Sequence, residues 1–154
     1  MRVSFDLDDT LFVDGAQVKA EPLLPFPLKL IYKERLRLGA PELMNKIRAE
    51  GIELWIYTTS YRTEKYIKNY FKHYNVKIDN VVNGDRHDHE VQKKHHYTLP
   101  SKLPNRYRID LHIDDDVSVK QNGVVNGFNV YLLKEENENW AEDLWAFIMR
   151  LQKD

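Results

Sequence analysis

Apolar residues along the chain fall into short runs that alternate with longer segments of helical periodicity. The short runs predict five β-strands, at residues 3–5, 52–57, 81–82, 109–113 and 128–133. The periodic segments predict four α-helices, at residues 41–50, 62–74, 117–126 and 139–151. Alternation of this kind is typical of an α/β fold, in which helices cover a parallel sheet. The pattern therefore predicts that class.

Two details of the pattern indicate how elements face their surroundings. In the fourth predicted strand, Asp110 and His112 alternate with apolar residues, which indicates that one face of this strand lies near the surface. The last predicted helix carries Trp140, Leu144 and Ile148 on one stripe. We expect this stripe to pack on the core rather than to form a dimer surface.

Two connections lack a clear pattern. One follows the first strand and contains a turn at residues 14–15 and three prolines; the other spans residues 84–105 and is polar and rich in histidine. Neither looks long enough for a packed domain with its own core, so we predict a single domain over residues 1–154. The histidines at 87, 89, 95 and 96 favour a flexible polar loop, with a transition-metal site as the alternative.

Composition excludes several classes of protein. The chain has no cysteine, which excludes a disulfide framework, a zinc ribbon and thiol chemistry. Its formal net charge is -1, so no overall basic field points to nucleic acid. The sequence shows neither a signal peptide nor an apolar stretch long enough to span a membrane. A globular protein of the reducing cytoplasm fits these features.

Acidic residues follow two of the predicted strands. Asp6, Asp8 and Asp9 come directly after the first strand, and residues 114–116, all aspartate, come directly after the fourth. Because ligands of open parallel sheets bind beyond the carboxyl ends of the strands, we expect the two clusters to converge there. Aspartate is also common in turns and helix caps, but converging carboxylates repel one another unless a hard divalent cation lies between them. Mg²⁺ is the cation we expect.

Two further features fit an anion site at the same edge. The second strand ends in Thr58 and Thr59 just ahead of a helix, where hydroxyl and backbone N–H groups bind anions. Past them, Tyr61 and Arg62 are placed to touch an anionic substrate. A lysine between the third and fourth strands would complete the site, and the candidates are at positions 93, 94 and 102.

These segments resemble the motifs of the haloacid dehalogenase (HAD) superfamily of hydrolases. Residues 5–12, Phe-Asp-Leu-Asp-Asp-Thr-Leu-Phe, resemble its first motif, and residues 56–58, Ile-Tyr-Thr, resemble its second. Lys102 is our choice for the third motif, and residues 111–115, Leu-His-Ile-Asp-Asp, resemble the fourth. The resemblance implies a three-layer Rossmann-like fold with a mostly parallel central sheet. The short connections predict that the inserted cap domain of many members is absent.

The resemblance also implies roles for individual residues. Asp6 would be the nucleophile that forms an aspartyl-phosphate, and Asp8 would be the general acid and base. Mg²⁺ would be held by the Asp6 carboxylate, the Asp8 backbone carbonyl and the Asp115 carboxylate. Asp114 would hold a metal-bound water or orient the lysine. The triple aspartate leaves the register open between 114/115 and 115/116, and we prefer the former because Ile113 ends the strand.

Thr58, Thr59 and Lys102 would bind the substrate phosphate. The presence of Asp8 favours a phosphatase over a dehalogenase, because attack on carbon needs no acid at that position. The expected partner is a phosphorylated substrate. A site without a cap suits a phosphate on a macromolecule, or a small substrate over which a neighbouring subunit closes. A receiver domain is excluded by the order of its acidic and threonine motifs. A non-catalytic phosphate-binding or ligand-binding module is the alternative.

Overall fold

A computed structural model describes residues 1–153 of the chain. The strands are β1 (Arg2–Phe5), β2 (Phe12–Val13), β3 (Arg35–Leu36), β4 (Glu53–Tyr57), β5 (Asn80–Val82), β6 (Leu111–Asp114) and β7 (Val130–Leu132). The α-helices are α1 (Ala40–Ala49), α2 (Glu64–His73), α3 (Gly84–Glu90), α4 (Val117–Asn126) and α5 (Trp140–Leu151). Short 3-10 helices lie at Leu28–Leu30, Gln92–Lys94 and Pro104–Tyr107.

The main sheet has five parallel strands in the order β5-β4-β1-β6-β7. β1 lies at its centre, where Phe5 is paired with Ile56 on one side and with Ile113 on the other. The carboxyl ends of β1, β4 and β6 therefore lie side by side. The residues that follow these three strands therefore lie close together at one edge of the sheet, as in other open α/β folds.

Helices cover both faces of this sheet. In β4, Leu54 and Ile56 belong to a large core with α1, α2 and α5, while Trp55 and Tyr57 face the opposite side. This alternation is what the two-residue repeat of a strand requires. The opposite side is covered by the segment from α3 to α4. The fold is thus a three-layer Rossmann-like α/β fold, as predicted, and the stripe of α5 lies in the core.

The five predicted strands and four predicted helices are all present, but two local predictions were wrong and one small sheet was missed. β6 is completely buried, and His112 points into the interior although an accessible face was expected, because its ring is bonded to buried polar groups. The His-rich connection contains helix α3, which Asn83 caps by accepting a hydrogen bond from the Arg86 amide. A two-stranded antiparallel sheet, β2 with β3, was not expected at all.

The connection between β2 and β3 forms an insert outside the main sheet. It contains a short 3-10 helix and no sheet of its own, and Leu24 and Tyr32 join the large core. Over the described residues this insert has no separate core, so the fold has no cap domain. Among residues 1–153, none of the helices has the length and apolarity needed to cross a membrane.

Candidate active site

The chain leaves β1 through a tight turn that separates Asp6 from its acidic neighbours. The amides of Thr10, Leu11 and Phe12 all donate to the Leu7 carbonyl, and Asp9 adopts a left-handed conformation with φ 64°. Aspartate tolerates this region better than most residues. The Asp6 amide donates to the Ile113 carbonyl at 2.9 Å, so Asp6 is still held by the sheet.

Asp6 and Asp114 share one buried lysine. Lys102 Nζ lies 2.8 Å from Asp6 Oδ1 and 2.6 Å from Asp114 Oδ2. All three side chains are buried, with at most 10% of each exposed. Burial alone would lower the pKa of Lys102, but the two carboxylates outweigh it and raise that pKa. Lys102 is therefore a fixed cation in the floor of the site.

Asp114 is held on both of its oxygens. Oδ2 accepts from Lys102 and from His112 Nε2, at 2.9 Å, and Oδ1 accepts from the Asp116 amide at 2.9 Å. Burial would raise the pKa of Asp114, but the hydrogen bond from His112 and the charge of Lys102 outweigh it and lower that pKa. Asp114 is thus a permanently ionised, rigid carboxylate.

Asp115 and Asp116 have different surroundings, although they are adjacent. Asp115 Oδ1 accepts from Thr10 Oγ1 at 2.9 Å, which ties the acidic end of β6 to the turn after β1. Asp116 is the N-cap of α4 and accepts from the Ser118 amide at 2.7 Å. The structure therefore places residues 114 and 115 at the site and assigns 116 to the helix cap.

Three carboxylates converge around one ammonium group, and the buried Arg37 guanidinium is near enough to Asp115 for their charges to interact. Ligand oxygens of Asp6, Asp114 and Asp115 all lie within 4.8 Å of one another, and no other such group of metal-ligating side chains occurs among residues 1–153. Burial is the main cause that raises the pKa of Asp6 and of Asp115, and the charge of Asp114 adds to it. One ammonium group cannot neutralise three carboxylates, whereas a hard divalent cation with oxygen ligands would. The residues present therefore fit Mg²⁺.

Asp8 points away from this cluster. Its carboxylate forms a bidentate pair with Arg62, with both N–O distances 3.0 Å, and 54% of the side chain is exposed. Arg62 also contacts Glu34, in the insert before β3, at 3.2 Å. Arg62 thus joins Asp8 to the insert. Tyr61, which was expected beside it as a substrate contact, instead donates to Asp88 at 2.6 Å.

The loop after β4 lies at the same edge of the sheet. Thr58 is buried, its amide donates to Val82, and its Oγ1 accepts from the Ser60 amide at 3.1 Å. Thr59 is exposed. The loop also presses against the start of α3, because a Cβ on Gly84 would lie 2.5 Å from the Thr59 carbonyl oxygen. The loop and α3 are therefore fixed against each other.

Tyr57 fixes the position of Lys102 from the face of the sheet that lies away from the large core. The Tyr57 hydroxyl accepts from the Leu103 amide at 2.9 Å and lies 2.6 Å from His87 Nδ1, to which it donates. Both Tyr57 and His87 are buried. The alternative lysines, at 93 and 94, are exposed and lie in the short 3-10 helix, so only Lys102 of the three reaches the carboxylates.

The histidines of the same connection are separated from one another. His87 is buried beside Tyr57, whereas His89 is exposed and lies 3.0 Å from Lys93 Nζ. The His95 ring contacts the Tyr97 ring, with centroids 5.2 Å apart and planes tilted by 56°. No group of three metal-ligating side chains forms from them within the described part of the chain. The transition-metal alternative finds no support in this arrangement.

Comparison with known proteins identifies the fold. No family model matches the sequence, and neither does any curated protein sequence. A HAD-superfamily hydrolase of subfamily IA from Geobacter sulfurreducens is similar in structure, with a TM-score of 0.53 and 12% identity over 85% of this chain and 88% of that one. This chain has a HAD-like fold.

Two other structures are similar in fold to this chain. A D,D-heptose 1,7-bisphosphate phosphatase from B. bronchiseptica, complexed with magnesium and phosphate, has a TM-score of 0.51 and 12% identity over 85% of this chain and 79% of that one. A chain of the Pnkp1/Rnl/Hen1 RNA repair complex has a TM-score of 0.57 and 12% identity over 88% of this chain. The present chain spans only 43% of that polypeptide.

Sequence reasoning did not find the contacts made by Arg62, His112 and Ser4. Arg62 was expected to face a substrate, and its pairing with Asp8 depends on how the insert packs. His112 stands out only as a polar residue in an otherwise apolar strand. A polar residue in an apolar strand was therefore the one sign in the sequence, and it indicated a buried hydrogen bond rather than an exposed face.

Proposed function

We propose that this protein is a Mg²⁺-dependent phosphohydrolase that forms an aspartyl-phosphate on Asp6. One observation carries the proposal: the buried Asp6 carboxylate lies at the end of the central strand, 2.8 Å from Lys102 Nζ and within 4.8 Å of two further carboxylates. A nucleophile, a fixed cation and a cation-binding cluster thus meet at the edge where α/β folds bind ligands.

Asp6 would carry the covalent step. A carboxylate oxygen of Asp6 attacks phosphorus, and the bond from phosphorus to the leaving oxygen breaks. Water then attacks the same phosphorus, the bond to Asp6 breaks, and inorganic phosphate leaves. The Asp6 backbone is held in the sheet by its hydrogen bond to Ile113, so its oxygen stays in place through both steps.

Asp8 would move the protons. In the first step it gives a proton to the leaving oxygen, and in the second it takes one from the attacking water. The bidentate pair with Arg62 holds the Asp8 carboxylate outside the cluster. Asp8 therefore has to release Arg62 before it acts as an acid.

The remaining residues would bind the transferred group. Lys102 donates to phosphoryl oxygens as their charge builds, and the Thr58 and Thr59 region supplies hydroxyl and amide donors. Mg²⁺, held by Asp6, Asp115 and the Asp8 backbone carbonyl, would offset the negative charge that otherwise opposes attack on a phosphate. Asp114 orients Lys102, since both of its oxygens are already occupied by donors.

The comparisons support a phosphorylated substrate. One structure of similar fold is a sugar bisphosphate phosphatase complexed with magnesium and phosphate, and another belongs to an RNA repair complex. Without a cap domain, the edge of the sheet is open to a phosphate carried on a large molecule. We therefore propose a phosphate monoester as substrate, with a macromolecule as the better fit.

The test is phosphate release from p-nitrophenyl phosphate with and without Mg²⁺. The wild-type protein should release phosphate only with the cation, and Asp6→Asn should be inactive. Asp9→Asn is the matched control, because Asp9 is an exposed neighbour and asparagine also tolerates its left-handed backbone. Activity in Asp6→Asn equal to wild type would rule out the mechanism. Phosphate binding without turnover in the wild type would favour the binding module.

A further inference from the structure

A row of buried side chains leads from the interior of the sheet to Lys102. Ser4 and His112 are fully buried, and Ser4 Oγ lies 2.7 Å from His112 Nδ1. On the other side of the ring, His112 Nε2 lies 2.9 Å from Asp114 Oδ2. The same oxygen lies 2.6 Å from Lys102 Nζ. The row thus ends at the cation that contacts Asp6.

Hydrogen-bond chemistry fixes the direction of this row. An ionised carboxylate only accepts hydrogen bonds, so both His112 Nε2 and Lys102 donate to Asp114. A neutral ring with its proton on Nε2 leaves Nδ1 as an acceptor, and the Ser4 hydroxyl donates to it. Every polar atom of the row then has a partner, which is what buried polar groups require.

Burial in the strand does not by itself account for a histidine at this position. The flanking residues Leu111 and Ile113 are buried apolar side chains, and burying an imidazole is unfavourable unless its nitrogens are bonded. Without His112, Asp114 Oδ2 would be held by Lys102 alone, and the carboxylate could rotate about its remaining bond to the Asp116 amide. Lys102 would then lose its fixed direction toward Asp6.

We propose that His112 is a positioning residue, whose Nε2–H holds the Asp114 carboxylate in the orientation that aims Lys102 at Asp6. The part that concerns turnover rests on the proposed function, because it gives Lys102 a role in phosphoryl transfer. The part that concerns geometry is independent of that function. The two parts need separate measurements.

Two substitutions at this position separate the two hydrogen bonds. Asparagine puts its amide near the place of Nδ1, so His112→Asn keeps the contact with Ser4 and loses Asp114. Glutamine puts an N–H near the place of Nε2, so His112→Gln keeps the contact with Asp114. His112→Asn should lower kcat/KM for p-nitrophenyl phosphate about 10–100-fold, as loss of a supporting hydrogen bond does around metal sites, and His112→Gln should recover most of this loss.

The geometric part is measured by acetylation of Lys102 with acetic anhydride, followed by mass spectrometry, with exposed Lys94 as the internal reference. Lys102 should react faster in His112→Asn than in wild type or His112→Gln. Equal activity and equal labelling in the two variants would overturn the proposal. If wild-type protein releases no phosphate, the proposed function fails, while the labelling comparison still decides the role of His112.

The wild-type protein provides a test that does not depend on the variants folding. A long-range ¹H–¹⁵N spectrum should show the His112 ring with a proton on Nε2, because only that nitrogen faces Asp114. A ring protonated on Nδ1 alone has no donor for Asp114. That result would overturn the proposal.

Discussion

At the scale of single residues, the site depends on where one ammonium group is buried. Lys102 lies between Asp6 and Asp114 with 4% of its side chain exposed, and nothing in its local sequence distinguishes it from two nearby lysines. Its place is set by Tyr57, which binds the next amide along the chain, at Leu103. Tyr57, at the end of β4, thus fixes the position of Lys102.

We predict that Lys102→Met lowers kcat for an aryl phosphate about 10²–10³-fold, the usual cost of removing one donor to a developing charge. The same change leaves Asp6 and Asp114 facing each other without the shared cation. Lys94→Met is the control, because Lys94 lies in the same connection between β5 and β6 but is exposed, and its activity should match wild type. Loss of activity in Lys94→Met, with Lys102→Met unchanged, would reverse the assignment. Circular dichroism checks that both variants fold.

We predict that Asp115→Asn moves the Mg²⁺ requirement to higher concentration, whereas Asp116→Asn leaves it unchanged. Asp115 belongs to the carboxylate cluster, so its charge contributes to cation affinity. Asp116 caps α4, and asparagine caps a helix equally well. Mg²⁺ titrations of phosphate release measure both effects. An effect seen only in Asp116→Asn would show that Asp116, and not Asp115, is the cation ligand.

Site residues at the ends of strands could be predicted from the sequence. Side-chain contacts between residues far apart in the sequence could not. Asp6, Asp114 and Thr58 follow strands directly, and the sheet brings them together once its order is known. The pairing of Arg62 with Asp8 joins residues 54 positions apart and depends on the insert. The bond between Ser4 and His112 spans 108 positions. Such contacts follow from side-chain packing, which periodicity does not encode.

At the scale of secondary-structure elements, the loop after β4 and helix α3 are in close contact. We predict that Gly84→Ala displaces the Thr59 carbonyl, 2.5 Å from the new Cβ, and raises KM for the phosphate substrate while also lowering the melting temperature. Gly123→Ala is the matched control, because its Cβ would lie 2.6 Å from the Phe128 carbonyl, away from the site. It should lower the melting temperature without changing KM. Similar KM values in both variants would contradict the role of this loop in phosphate binding.

Elements with a strong pattern were predictable, and elements formed mainly by tertiary contacts were not. The strands of the main sheet are short apolar runs, and their alternation with helices predicts parallel connections, although it does not fix the strand order. β2 and β3 have only two residues each, too few to show a period. Helix α3, Gly84–Glu90, is almost wholly polar, so its sequence favours a loop until Asn83 caps it and His87 packs beside Tyr57.

At the scale of the whole molecule, cation binding and folding are coupled. Three carboxylates crowd one edge of the sheet, and their repulsion opposes folding when no cation is bound. A ligand that binds only the folded state stabilises it by RT ln(1 + [L]/Kd), so the gain grows with the logarithm of the ligand concentration. The carboxylate cluster therefore links stability to Mg²⁺ and to pH at the same time.

We predict that Mg²⁺ at 100 times its Kd raises the free energy of unfolding by about 2.7 kcal/mol. For a chain of this size such a gain corresponds to an increase in melting temperature of roughly 5–10 °C. The gain should shrink as the pH falls through the raised pKa of Asp6, because burial favours its protonated form and a protonated carboxyl must lose its proton before it binds a cation. Thermal unfolding with MgCl₂, against NaCl at equal ionic strength, measures the effect. Asp115→Asn should reduce it, and an equal gain in NaCl would show that ordinary screening, rather than a bound cation, relieves the repulsion.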